Sequence, residues 1–138
     1  MKMKKQNLEK TLVKIFLNHK LNKDHSIISS RALINAELVG AYGHGLSRLK
    51  MYCNRLQKKL INPNPKIRIK KISNSISLID ADNSIGFVAA DVGIKKAIQN
   101  AKKTGIGMVG IKNSGHYGLS GYYAEQAVKK KFNNYDFY

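Results

Sequence analysis

Apolar side chains recur at helical spacing from the start of the chain. Leu8, Leu12, Ile15 and Phe16 share one face and lysines hold the other, which predicts a helix stopping near Lys20. Asp24 is placed to cap a second helix. Ile27, Ile28, Arg31, Ala32, Ile34 and Leu38 give that helix a broad apolar stripe, and Gly40 terminates it. After Gly43-His44-Gly45, the residues Leu46, Leu49, Cys53, Leu56 and Leu60 predict a third helix with one apolar side. Asn62-Pro63-Asn64-Pro65 then breaks the helical period and marks the clearest domain boundary.

Beyond it the period becomes two. Lys66 to Ile72 alternates as a half-buried strand does, and Ile76-Ser77-Leu78-Ile79 predicts a second strand paired with it through the Ser73–Ser75 turn. Asp80 to Gly86 predicts a loop. Val88, Val92, Ile94, Ala97, Ile98 and Ala101 predict a fourth helix that closes on Lys102-Lys103-Thr104-Gly105, a basic ending suited to a helix C-terminus. Met108 to Ile111 predicts a short buried strand, and a fifth helix starts after Gly118 with Tyr122, Tyr123, Ala124, Ala127 and Val128. From Lys129 to Tyr138 neither period holds. The expected organisation is a helical domain over 1–62, the first part of an α/β domain over 66–128, and an aberrant tail over 129–138.

Composition narrows the class. A chain of 138 residues with 43% apolar side chains can bury a core. No apolar run approaches the ~20 residues that span a bilayer, and no signal-peptide pattern opens the chain, so a cytoplasmic protein without membrane contact is expected. The single cysteine, Cys53, has no partner for an internal disulfide and is expected as a small buried hydrophobe. The net charge of +17 is unusual. Nucleic-acid binding is one explanation. However, the aromatics do not interleave with the cations as in single-strand binders, and the excess of lysine, asparagine and isoleucine points to compositional bias.

Two histidines carry candidate chemistry. His116 lies in Asn113-Ser114-Gly115-His116-Tyr117-Gly118, at the exit of a predicted strand. An imidazole titrates near pH ~6.5 and can give or take a proton at neutral pH. Its spacing is equally that of a loop histidine capping the next helix. His44 lies in Gly43-His44-Gly45-Leu46-Ser47-Arg48, and Arg48 follows it by one helical turn, so both can face one space. A guanidinium fork matches a carboxylate. An exposed turn histidine and an exposed cation fit the same spacing. Asp80 and Asp82 are better explained as turn residues than as metal ligands, and no metal site is expected. The glycines of Gly105-x-Gly107-x-x-Gly110 precede and enter a strand, whereas a dinucleotide fingerprint follows one.

Taken in order, five blocks resemble the malate/L-lactate dehydrogenase family, which is distinct from the Rossmann-type enzymes and includes ureidoglycolate, sulfolactate and diketogulonate oxidoreductases and cyclic-imine reductases. They are Ala36 to Gly40 with Gly43 to Leu49 and Tyr52, then Leu60 to Pro65, then Asp80 to Gly86, then Gly105-Ile106-Gly107 with Val109, then Asn113 to Gly118. The resemblance covers residues 8 to 128. It implies an α/β (α+β) fold, a helical segment beside a non-Rossmann cofactor domain built on a mostly antiparallel sheet. It also implies reversible NAD- or NADP-linked oxidation of a small 2-hydroxy acid to its 2-oxo acid, and a homodimer. His116 matches the family's general acid/base, His44 a second active-site histidine, and Arg48 a residue near the substrate carboxylate.

Gly43 stands where the family usually has serine, which removes a hydroxyl beside His44. Family members are also much longer, so the resemblance implies an amino-terminal portion cut short and inactive alone, with most cofactor contacts lying beyond Tyr138. No cofactor-binding residue is assigned. A basic nucleic-acid-binding protein and an inert gene remnant are the competing readings.

Overall fold

Helix α1 (Lys5–Asn18) forms where the sequence period placed it, and it buries Leu12 and Phe16. The structure, a computed structural model, describes residues 4–132. Helix α2 (Lys23–Leu38) starts one step earlier than its predicted cap. The side chain of Asn22 accepts the backbone N–H of His25, while Asp24 sits inside the first turn. Asn22 therefore satisfies an orphan donor of the helix start, the work assigned above to Asp24.

The predicted third helix is shorter than its apolar pattern. Two 3-10 turns, Tyr42–His44 and Leu46–Arg48, precede α3 (Leu49–Gln57), and Leu60 lies beyond it, 54% exposed. Cys53 is only half-buried; the side chains of α3 that are buried are Tyr52 and Leu56.

The sheet departs from expectation in its edges. Strand β1 (Arg68–Lys71) pairs antiparallel with β2 (Ile76–Ser84), and β2 pairs parallel with β3 (Met108–Ser114), in the order β1-β2-β3. Helix α4 (Gly86–Thr104) is the crossover between the parallel strands, and α5 (Ser120–Phe132) follows β3. Only β2 is central among the described residues. The predicted half-buried β1 is exposed along its length, and the predicted buried β3 is an exposed edge with Met108 at 60% and Ile111 at 39%. An apolar run cannot by itself separate a central strand from an edge.

Strand β2 also runs through the segment expected as a loop. Its pairing shifts between Asp80 and Ser84, where Asp82 and Asn83 adopt φ 48° and 56°. The two aspartates are satisfied locally. The Asp82 carboxylate accepts the Lys66 N–H and the Asn62 amide, and the Asp80 carboxylate accepts the Asp82 N–H and the Asn113 amide. One apolar cluster includes Leu12, Phe16, Leu33, Tyr52, Ile85, Phe87 and Val88, so residues before and after Asn62–Pro65 pack together. The expected α/β class holds, with five α-helices and a three-stranded mixed sheet among the described residues. Residues 129–132 continue α5, and the rest of the tail expected from Lys129 lies outside the described residues.

Candidate active site

Three elements bring the site together. The first is the exit of β3. Asn113 turns there with φ 54°, its amide bonded to Asp80 at 2.9 Å, and the loop carrying His116 follows. That loop crosses the start of α4 so closely that a Cβ on Gly86 would strike the carbonyls of Gly115 and His116. Gly86 is thus a close-approach glycine.

The second element is the turn after α2. Glu37 reaches from the last helical turn to accept the Leu46 N–H at 2.6 Å, and its carboxylate occupies the space a side chain on Gly45 would need. Arg48 donates through Nε to the Gly43 carbonyl at 2.7 Å, and Ser47 donates to the Tyr42 carbonyl at 2.6 Å. With Nε engaged, the two Nη groups of Arg48 remain to meet an anion.

The third element is α3, which supplies Tyr52. Its ring is 1% exposed and lies 4.6 Å, centroid to centroid, from Phe87. Its hydroxyl is 2.7 Å from Nδ1 of His116. The Gly118 N–H approaches the same nitrogen at 3.3 Å. An amide N–H can only donate, so both contacts are satisfied together when Nδ1 accepts and Nε2 carries the proton. The hydroxyl can reverse its role, which lets the ring change tautomer without losing Tyr52.

The imidazoles of His44 and His116 lie nearly parallel, 6° between planes, with centroids 6.0 Å apart. Of the three residues singled out in the sequence, His44 and His116 are therefore brought together, and Arg48 lies close enough for its charge to act on His116. Burial holds His116 below the usual histidine range, and the positive charges of His44, Arg48 and Arg55 push in the same direction. Burial pushes the Tyr52 phenol up to about 12, against the pull of Arg48 and Arg55, so it stays a neutral hydroxyl. Tyr52 and Glu37 had no assigned role in the sequence. Tyr52 falls four residues after Arg48, a spacing that puts both on one helical face, but its partner is 64 residues away.

A cleft of about 530 Å3 opens beside the same loop, walled by Ile94, Ala97, Val109, Ile111 and Tyr117, with the hydroxyls of Ser114 and Ser120 at its edge. Apolar walls with hydroxyls among them fit a flat ring. Among the described residues no lysine or arginine lines the cleft. Asp80 and Asp82 are occupied by the structural bonds described above, away from this chemistry.

The malate/L-lactate dehydrogenase family model matches residues 3–133. The chain is 35% identical over 118 residues to the malate/(S)-sulfolactate dehydrogenase of Methanothermus fervidus, covering 86% of this chain and 35% of that protein. It is 30% identical over 132 residues to the NAD(+)-type ureidoglycolate dehydrogenase of Escherichia coli K12, covering 96% and 38%. Among solved structures, the malate dehydrogenase of Pyrococcus horikoshii OT3 superposes with a TM-score of 0.91 at 35% identity, over 94% of this chain and 37% of that one. The chain thus spans little more than a third of the length of these relatives.

Proposed function

The chain belongs to the malate/L-lactate dehydrogenase family, and from that premise we propose that the His44–Arg48–His116 space binds a small 2-hydroxy or 2-oxo acid and moves the proton at its C2 oxygen. The cofactor is NAD or NADP, which when bound exchanges a hydride with C2. The observation that carries this reading is the placement of His116, anchored through Nδ1 by Tyr52 at 2.7 Å and facing His44 and Arg48.

Arg48 receives the substrate carboxylate on its free Nη groups, which fixes the acid at the C1 end. A depressed histidine is neutral at pH 7 and can act as a base. In the oxidation direction His116 acts from its other tautomer, in which Nδ1–H donates to the Tyr52 oxygen and releases the Gly118 N–H, and the bare Nε2 takes the hydroxyl proton. In reduction the imidazolium returns that proton to the carbonyl oxygen. His44 supplies a second imidazole facing the same oxygen. Its charge adds to the burial that holds His116 below the usual histidine range. The nicotinamide ring fits the apolar cleft beside the 114–118 loop, and its phosphates need groups beyond those described.

The test is binding and turnover together. L-Malate and L-lactate titrated into the 15N-labelled protein are expected to shift the His116 ring signals saturably, and Arg48→Gln is expected to weaken that binding about tenfold or more. In any assembly that turns over with NADH or NADPH, His116→Ala is expected to remove most turnover, and Arg48→Ala to raise KM chiefly. No shift of His116 at tens of millimolar acid would overturn the assignment. The homodimer that the resemblance implies is tested separately, by light scattering of the purified chain.

A further inference from the structure

A second groove lies where the ends of α1 and α3 meet the Asn62-Pro63 linker. It encloses about 700 Å3, and its lining includes His19, Lys20, Gln57 and Lys59 over a floor of Leu56 and Ile61. Both floor residues are buried, at 6% and 5% exposed. No aspartate or glutamate lines it, and among the described residues neither lysine is in an ion pair.

The backbone of the two lysines is the informative feature. Lys20 has φ 68° and Lys59 has φ 58°. Each follows the end of a helix in the same hydrogen-bonded turn. Lys20 N–H bonds the Leu17 carbonyl and Leu21 N–H bonds that of Phe16; Lys59 N–H bonds the Leu56 carbonyl and Leu60 N–H bonds that of Arg55. This left-handed position favours glycine because a Cβ is strained there. The chain follows that rule at its other two such helix ends, with Gly40 at φ 76° and Gly105 at φ 80°. Among the described residues lysine takes this position only at the two helix ends that open into the groove, so both side chains stand there against a backbone cost.

We propose that this groove binds a sugar phosphate. Two lysines that line the groove from different helix ends suit a doubly charged phosphate, which lysine binds as a point charge. His19 donates through Nδ1 to the Ile15 carbonyl at 2.9 Å, so Nε2 is left to accept a ligand hydroxyl. Gln57 adds a donor and an acceptor, and Leu56 and Ile61 pack the C–H face of the sugar ring. The groove is separate from the imidazole site, and the proposal stands whether or not that site turns over an acid.

The probe is ribose 5-phosphate, followed through the His19 ring signals of the 15N-labelled protein, with ribose and inorganic phosphate as comparators. Ribose 5-phosphate is expected to bind about tenfold tighter than either comparator, leaving the His116 signals in place. Lys20→Gly and Lys59→Gly are each expected to weaken it at least ~5-fold while leaving Tm unchanged or about 3 °C higher, because glycine relieves the strained φ. Loss of binding therefore cannot be ascribed to unfolding. A charge-matched control away from the groove, Lys103→Gln, is expected to bind as the parent does. Equal affinity for phosphate and ribose 5-phosphate would overturn the proposal. So would unchanged binding in the glycine variants, or an equal loss in the control.

Discussion

Removing one oxygen from Tyr52 isolates the contact on which the proposed proton-transfer geometry rests. Tyr52→Phe keeps the buried ring against Phe87, 4.6 Å away, so no cavity opens and the change reduces to the bond with His116 Nδ1 at 2.7 Å. A neutral hydrogen bond of this kind contributes about 0.5–1.5 kcal/mol net. At pH 8 His116, held below its ordinary range, is neutral, and Tyr52, pushed up to about 12, keeps its proton. Urea unfolding of the parent, Tyr52→Phe, His116→Ala and the double variant gives the coupling directly. Tyr52→Phe is expected to cost about 1 kcal/mol in the parent, roughly 3–4 °C in Tm. In the His116→Ala background its cost is expected to be near zero or reversed, because the hydroxyl there is already an orphan in a buried setting. A coupling below about 0.3 kcal/mol, within the scatter of independent sites, would refute the anchoring of His116 by Tyr52.

Three further outcomes follow from the same geometry. Stability is expected to fall as pH drops below ~6.5, because the unfolded chain takes up protons at ordinary histidine values while His116 and His25, both depressed chiefly by burial, resist them when folded. Replacing His116 with Asn should flatten part of that slope in Tm against pH; an unchanged slope would remove His116 from the account. Gly86→Ala is expected to destabilise by about 3 kcal/mol or to displace the 115–116 loop, since its Cβ meets two backbone carbonyls that cannot rotate away, and a parent-like unfolding curve would contradict this contact. Gly43→Ser, in contrast, has open space at its Cβ and should change stability by less than about 0.5 kcal/mol while shifting the His44 ring signals, checked by thermal melts and NMR.

Helices were the most legible part of the fold, because their signals are local. The stripe of Leu12 and Phe16, the stop at Gly40 and the stop at Gly105 all reappear in the structure. Strand boundaries were less legible. Asp80 and Asp82 carry turn chemistry in sequence, yet β2 passes through them because Lys66, Asn62 and Asn113 satisfy their carboxylates from elsewhere in the chain. The apolar run from Met108 to Ile111 pointed to burial, and its exposure follows from its place at the sheet edge, which no local pattern encodes. At the site, His44, Arg48 and His116 could be named from their glycine-framed loops and the family resemblance. Tyr52 and Glu37 could not be given roles, since their partners are set by packing.

The loop bearing His116 hangs from β3, and among the described residues β3 is fastened along one flank only, to β2. Its other flank presents a row of main-chain donors and acceptors with Met108 and Ile111 beside them. How still the imidazole is held is therefore a property of the sheet's margin as much as of the loop. Any backbone that zips onto that margin would steady the turn at Asn113, and anything that peels it away would loosen the His116 loop.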